Sequence, residues 1–288
     1  MKIISIIISV FTFSPLMGQQ NLLYPETFGG FFNHQSLINP AFQQDTGRIV
    51  ISAAIKSRTG AFKNIATYYA SLERSFMNKK NTGHTLRLIF YNEKEGPYIE
   101  KPRGYFNYAY RLKLSEKIVL SAGAAIGFVQ AAFTVPSATA SGVATLPDAA
   151  LGLNIGKRGV KFGVSSMQLL NNSSPYANFI VKLSRYYNFF LSTEKELNYS
   201  WKLKSYALYR LLPEYRDNVD LALLLSYKNI LTFGSSARYK QGMSFFTSIN
   251  LSSGSSIVTL SFAYNTPLLS SVTNLNNSFE IAPVYFLR

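Results

Sequence analysis

Apolar and polar positions alternate along much of this chain. Ile118, Leu120, Ala122, Ala124, Ile126 and Phe128 share one parity, and Val119, Ser121, Gly123, Ala125 and Gly127 the other. Phe106, Tyr108, Tyr110, Leu112 and Leu114 stand in the same way against Asn107, Ala109, Arg111 and Lys113. Side chains of a strand point alternately to its two faces, so a period of two predicts strands with one apolar face. Segments of roughly ten residues, apolar outside and polar inside, are what a transmembrane barrel requires.

The same reading predicts about 14 strands. They fall near 48–57, 64–76, 84–92, 103–114, 118–133, 148–156, 160–169, 184–191, 201–209, 219–227, 231–240, 243–252, 257–265 and 279–287. Connections sort by length. Tight turns at Ser115-Glu116-Lys117, Lys157-Arg158-Gly159, Lys228-Asn229-Ile230 and Ser253–Ser256 alternate with longer segments around 93–102, 134–147, 170–183, 210–218 and 266–278. Short turns on one side and long loops on the other mark an outer-membrane barrel. One short connection, Gln241-Gly242, falls on the loop side. The predicted fold class is all-β, a transmembrane antiparallel outer-membrane β-barrel over residues 48–288. Phe76, Phe90, Tyr91, Tyr209, Tyr227, Tyr239, Tyr264, Tyr285 and Phe286 near strand ends are candidates for interfacial girdles.

Residues 1–18 read as an export signal. Lys2 precedes an apolar run from Ile3 to Val10 with Phe11 and Phe13, Pro15 breaks it, and Gly18 is a small residue before the cut. The run falls short of the ~20 residues that a membrane-spanning helix needs. Residues 19–47, with Pro25, Gly29-Gly30 and Asn39-Pro40, read as a non-barrel, periplasmic or plug-like segment.

The 288 residues include no cysteine, which excludes a disulfide scaffold and thiolate metal sites. Lys+Arg outnumber Asp+Glu by 29 to 14. There is no compact basic run, finger spacing or aromatic RNA-binding signature, so nucleic acid is not the expected partner. The alternation instead turns the cations inward. Arg87, Arg111, Lys161, Lys204 and Arg238 are out of phase with the apolar faces, because a lipid-facing Arg or Lys at mid-depth costs about 2–4 kcal/mol. Asp148 and Asp220 are the clearest acids on those faces. The expectation is a basic lumen suited to anions or to an acidic segment of a partner, or a solvated interior whose cations pair with carboxylates.

Catalytic chemistry is not visible. His34 and His84 lie apart, with no second histidine or carboxylate at metal-ligand spacing, and no serine is marked as a nucleophile. Glu93, Glu95 and Glu100 are interleaved with Lys94, Lys101 and Arg103, the pattern of a solvated charged loop rather than a calcium site. No cofactor or metal is expected.

Several strings carry a family resemblance: Asn39-Pro40-Ala41; Leu146-Pro147-Asp148-Ala149-Ala150-Leu151-Gly152-Leu153; Arg185-Tyr186-Tyr187; Gly234-Ser235-Ser236-Ala237-Arg238-Tyr239; and Glu280-Ile281. Together the chain resembles the PorP/SprF outer-membrane proteins of Bacteroidetes, associated with type IX secretion and gliding motility. It departs from them at Gln43 and Gln44 after Phe42, at Phe279 where the family carries His, at Asn265 where it tends to Asp, and at Pro283 inside the last strand. The resemblance implies a non-enzymatic barrel in outer-membrane lipid. It implies an accessory role in the export or surface anchoring of an adhesin-like cargo through the cargo's C-terminal domain, and a periplasmic peptidoglycan-binding lipoprotein as a second partner. Asn39, Pro40 and Asp148 match family motifs without an assigned role. The alternative from the residues alone is an outer-membrane channel or transporter with an anion-favouring lumen.

Overall fold

The computed structural model describes residues 20–44, 48–78, 82–134, 141–176, 179–239, 241–267 and 277–287. The export signal read over residues 1–18 lies outside them, as do parts of the 134–147 and 266–278 loops. The strands are β1 (Gln20–Leu22), β2 (Ile49–Arg58), β3 (Ile65–Met77), β4 (Gly83–Glu95), β5 (Ile99–Lys113), β6 (Ile118–Phe133), β7 (Gly142–Lys157), β8 (Val160–Met167), β9 (Ser173–Tyr176), β10 (Phe179–Lys182), β11 (Tyr186–Glu196), β12 (Trp201–Leu211), β13 (Asn218–Tyr227), β14 (Leu231–Arg238), β15 (Gly242–Ser253), β16 (Ser256–Pro267) and β17 (Ser278–Leu287).

Strands β2–β8 and β11–β17 form one closed antiparallel barrel of 14 strands, sealed by β17 on β2 and by β8 on β11. Strands β1, β10 and β9 form a separate small sheet. Among the described residues the only helical structure is three 3-10 turns, Phe31–Asn33, Gln35–Leu37 and Gly60–Phe62.

The period of two becomes a barrel wall. In β4, Arg87 is 2% exposed and its neighbour Leu88 is 55% exposed. Apolar side chains face outward because the surrounding solvent is hydrocarbon, and closure leaves no unpaired strand edge in it. Two girdle candidates point the other way: Tyr91 is buried in the interior and Phe286 lines an inner vestibule. His84 takes the outer face, where its Nδ1 shares a hydrogen bond with Tyr108 Oη at 2.7 Å. It cannot meet an interior serine.

At the turn end, positive φ at Arg158 and Gly159 and at Lys228 and Asn229 gives tight hairpins whose twist matches that of the strands. The prolines leave local gaps. The β17–β2 register passes from Ile281↔Ile55 to Val284↔Ser52 around Pro283, and the β5–β6 register skips Pro102. Proline has no N–H to donate to a ladder.

Three apolar clusters lie within the wall or at its loop end, and each is built on residues 23–38. Phe31, Phe32 and Ile38 pack with Phe190, Leu208, Leu224 and Phe246. Leu23 packs with Val129, Leu146, Val181 and Leu183. Phe28 packs with Ala54, Tyr69, Ile89 and Tyr91.

Candidate functional site

Residues 23–44, which follow β1, run through the barrel from the loop end to the turn end. Strand side chains around the wall hold their backbone. At the loop end, Gln168 Nε2 donates to Leu23 O at 2.6 Å, and Arg210 donates to Pro25 O and Thr27 Oγ1. Glu26 accepts from Lys56 Nζ at 2.6 Å and from Arg58 and Thr67, while its own N–H donates to Glu93. Gly29 N and Gly30 N donate to the two oxygens of Glu280 at 2.7 and 3.1 Å. Gly29 O accepts from Ser236 Oγ. Two successive backbone N–H groups on one carboxylate form a charge-assisted anion nest.

Further in, Ile38 O accepts from Ser165 and Asn188, and Asn39 meets the wall directly. Asn39 Nδ2 donates to Leu153 O at 2.9 Å and Val164 O at 3.2 Å, and its Oδ1 accepts from Ala41 N at 2.8 Å. Three inward glycines make room. A Cβ at Gly123 would stand 2.4 Å from Pro40 O, one at Gly152 2.0 Å from Asn39 Oδ1, and one at Gly163 2.8 Å from Asn39 Nδ2. Asn107 then donates to Pro40 O at 3.1 Å and Arg87 Nη2 to Phe42 O at 2.7 Å.

The five predicted cations all lie on inward faces. Arg87 sits directly across the ladder from Glu73 and Asn107. It donates to Glu73 Oε2 from Nε at 2.9 Å and from Nη2 at 2.6 Å. Arg111 is buried on β5, where its register partner on β4 is Gly83 and that of Arg87 is Asn107, so the two arginines share one wall. Arg238 is at the loop end of the far wall, pairs with Asp220 opposite it and reaches Phe28 O. Lys161 and Lys204 line two vestibules of about 550 and 580 Å³ at the turn end, which share Gln35, Phe42, Gln44 and Tyr206. Arg87 and Arg238 are therefore anchors for residues 23–44, Arg111 is buried in the wall, and the lysines line a mouth.

Acids balance the deep interior: Asp148 and Asp220, expected there from phase, are joined by Glu73, Glu93 and Glu280. Among the described residues the buried charged side chains are Lys56, Arg87, Arg103, Arg111 and Arg210 against Glu73, Glu93, Asp148, Asp220 and Glu280. Glu93, expected in a solvated loop, is buried and pairs with Arg103 at 3.0 Å. Its neighbours Glu95 and Glu100 do form exposed pairs, with Lys101 and Lys94. Asp148 accepts from Tyr105 Oη at 2.7 Å and from Ala149 N. It lines a cavity of about 60 Å³ between residues 25–40 and the wall, beside Arg103, Gln168, Asn188 and Arg210. His34 is buried there between Phe28 and Tyr69, with ring centroids at 4.7 and 4.8 Å. No group of three potential metal ligands occurs among the described residues.

An apolar outer belt, a closed wall and a polar interior define an exported, integral outer-membrane β-barrel. Its fold is shared with transport channels, at low sequence identity. The Pseudomonas putida toluene transporter TodX matches with TM-score 0.54 and 9% identity, over 90% of this chain and 93% of that one. The CymD monoaromatic hydrocarbon channel matches with TM-score 0.53 and 12% identity, over 87% and 91%. No curated protein matches the chain. Residues 22–285 match the family described as "Type IX secretion system membrane protein PorP/SprF", and the chain belongs to that family.

Proposed function

We propose that this protein is a gated conduit of the outer membrane, closed at rest by its own residues 23–44. One observation carries the reading: a single continuous segment runs through the barrel and, with the inward side chains packed against it, fills the passage. The segment is held by discrete polar contacts at Glu280, Asn39 and Arg87. Such contacts open without unfolding the barrel. The hydrocarbon channels of the same fold support a conduit through likeness of architecture. Selectivity would come from the turn-end mouth, where Lys161, Lys202 and Lys204 stand on inward faces against Glu194 and Glu196, which pair with Lys202 and Lys204, while the deep charges cancel. The small excess of cations at that mouth makes anions the weakly favoured solutes.

In planar bilayers, wild-type protein is expected to be nearly silent. The Asn39→Ala/Glu280→Ala variant is expected to give steady conductance with an anion-selective reversal potential. A silent double variant that still migrates as a folded barrel refutes the conduit.

The family description supports a second reading, an accessory role in type IX secretion. The barrel would then support one cargo through that cargo's C-terminal domain and contact a periplasmic peptidoglycan-binding lipoprotein. Deletion of the gene followed by surface proteomics tests this. Selective loss of one or a few cargo proteins is expected, and an unchanged surface set refutes it.

A further inference from the structure

Short turns of outer-membrane barrels face the periplasm and long loops the exterior. Leu23 is at the loop end. Its N–H donates to Lys182 O at 3.0 Å, and its side chain is enclosed by Val129, Leu146, Val181 and Leu183. Just before it, β1 runs parallel to β10 in the register Gln20↔Ile180, Asn21↔Val181, Leu22↔Lys182. The chain therefore enters the barrel from outside and threads toward the periplasm. In the small sheet β10 is the middle strand, with β9 on one edge and β1 on the other. β1 is three residues long and paired in parallel, the weaker of the two pairing modes.

We propose that the edge of β10 is a strand-docking site on the outer face of the protein, occupied by β1 and open to exchange with an extended segment of a second polypeptide. The incoming strand runs parallel to β10 and places a leucine-sized apolar side chain in the pocket of Leu23. Main-chain hydrogen bonds supply the affinity of such augmentation, and the side-chain pocket its specificity. The competitor works against a tethered strand, whose effective concentration is on the order of millimolar. Removing Leu23 from its pocket unfastens the outer end of residues 23–44. That last coupling rests on the closure reading above; the docking site itself does not.

The chain has no cysteine, so introduced thiols report cleanly. In intact cells, a membrane-impermeant maleimide is expected to label Gln20→Cys without permeabilisation. Labelling only after permeabilisation overturns the proposal. In purified protein, Gln20→Cys/Ile180→Cys is expected to cross-link on oxidation, with Leu22→Cys/Lys182→Cys as a second pair should the first impair assembly. A synthetic peptide of residues 19–26 at several millimolar is expected to lower the yield at least fivefold, and the same peptide with Leu23→Asp to leave it unchanged. Failure of both pairs to cross-link, or a yield indifferent to the peptide, overturns it. Peptide exchange without any change in bilayer conductance would leave the docking site standing and remove the gated conduit.

Discussion

Adding one methyl group at Gly123 tests whether residues 23–44 are docked where the hydrogen bonds place them. A Cβ there would stand 2.4 Å from Pro40 O, 2.5 Å from Pro40 C and 2.6 Å from Ala41 N, so the backbone of the segment must move. Moving it breaks the Asn107 bond to Pro40 O and the two Asn39 bonds to the wall. At about 1 kcal/mol net for each hydrogen bond, the docked state loses about 3 kcal/mol. That is roughly a hundredfold in the docked-to-undocked ratio. The barrel itself should not suffer, because replacing a strand glycine removes an entropic penalty of about 0.5–1 kcal/mol. Gly156 is the control: it is on the wall of the same strand as Gly152, and its added Cβ would meet nothing closer than 3.5 Å. The assay is the rate at which a small maleimide labels Ser36→Cys in the otherwise cysteine-free chain. Gly123→Ala is expected to raise it by tens-fold, Gly156→Ala to leave it unchanged, and both to keep heat-modifiable migration. Equal labelling in the two variants refutes the docking geometry.

Other expectations follow from the wall. Arg87→Met and Glu73→Met each leave a buried charge without its partner and should each cost about 3–5 kcal/mol in urea titrations, whereas the double variant should be much closer to wild type; additive losses would refute the pairing. Leu151→Arg, on the lipid face, should cost about 2–4 kcal/mol in bilayer refolding, and a loss well below 1 kcal/mol would move that face out of the hydrocarbon. In the exterior loops, a hydrogen bond from Lys182 holds the Glu214 carboxyl below its ordinary value of 4.5. A depressed folded pKa means that the contribution is complete above about 4.5 and is lost as pH falls through the lower folded value. Hydrogen exchange around β10 should therefore speed up on acidification, and Glu214→Gln should abolish that acid-dependent step.

Much of the architecture was legible because it is local. Alternation of side chains is a property of each strand alone, so Ile118–Phe133 could be delimited from the chain, and connection lengths reported the two ends of the barrel. The inward placement of Arg87, Arg111, Lys161, Lys204 and Arg238 followed from the same phase. What phase cannot supply is distance across the lumen. Glu73 opposes Arg87 only because β3 and β4 pair in one register, and Glu93 reaches Arg103 by the next hairpin. A basic interior was therefore the natural expectation until register paired its charges. The motifs that carried the family resemblance had no visible role along the chain. In three dimensions Asn39-Pro40, Gly152, Ser236, Arg238 and Glu280 converge on the segment that fills the barrel. Sequence determined which face of each strand meets lipid, since that depends on neighbours one residue apart. Only the tertiary structure decided what the other face holds, since that depends on closure of the barrel around residues far away in the chain.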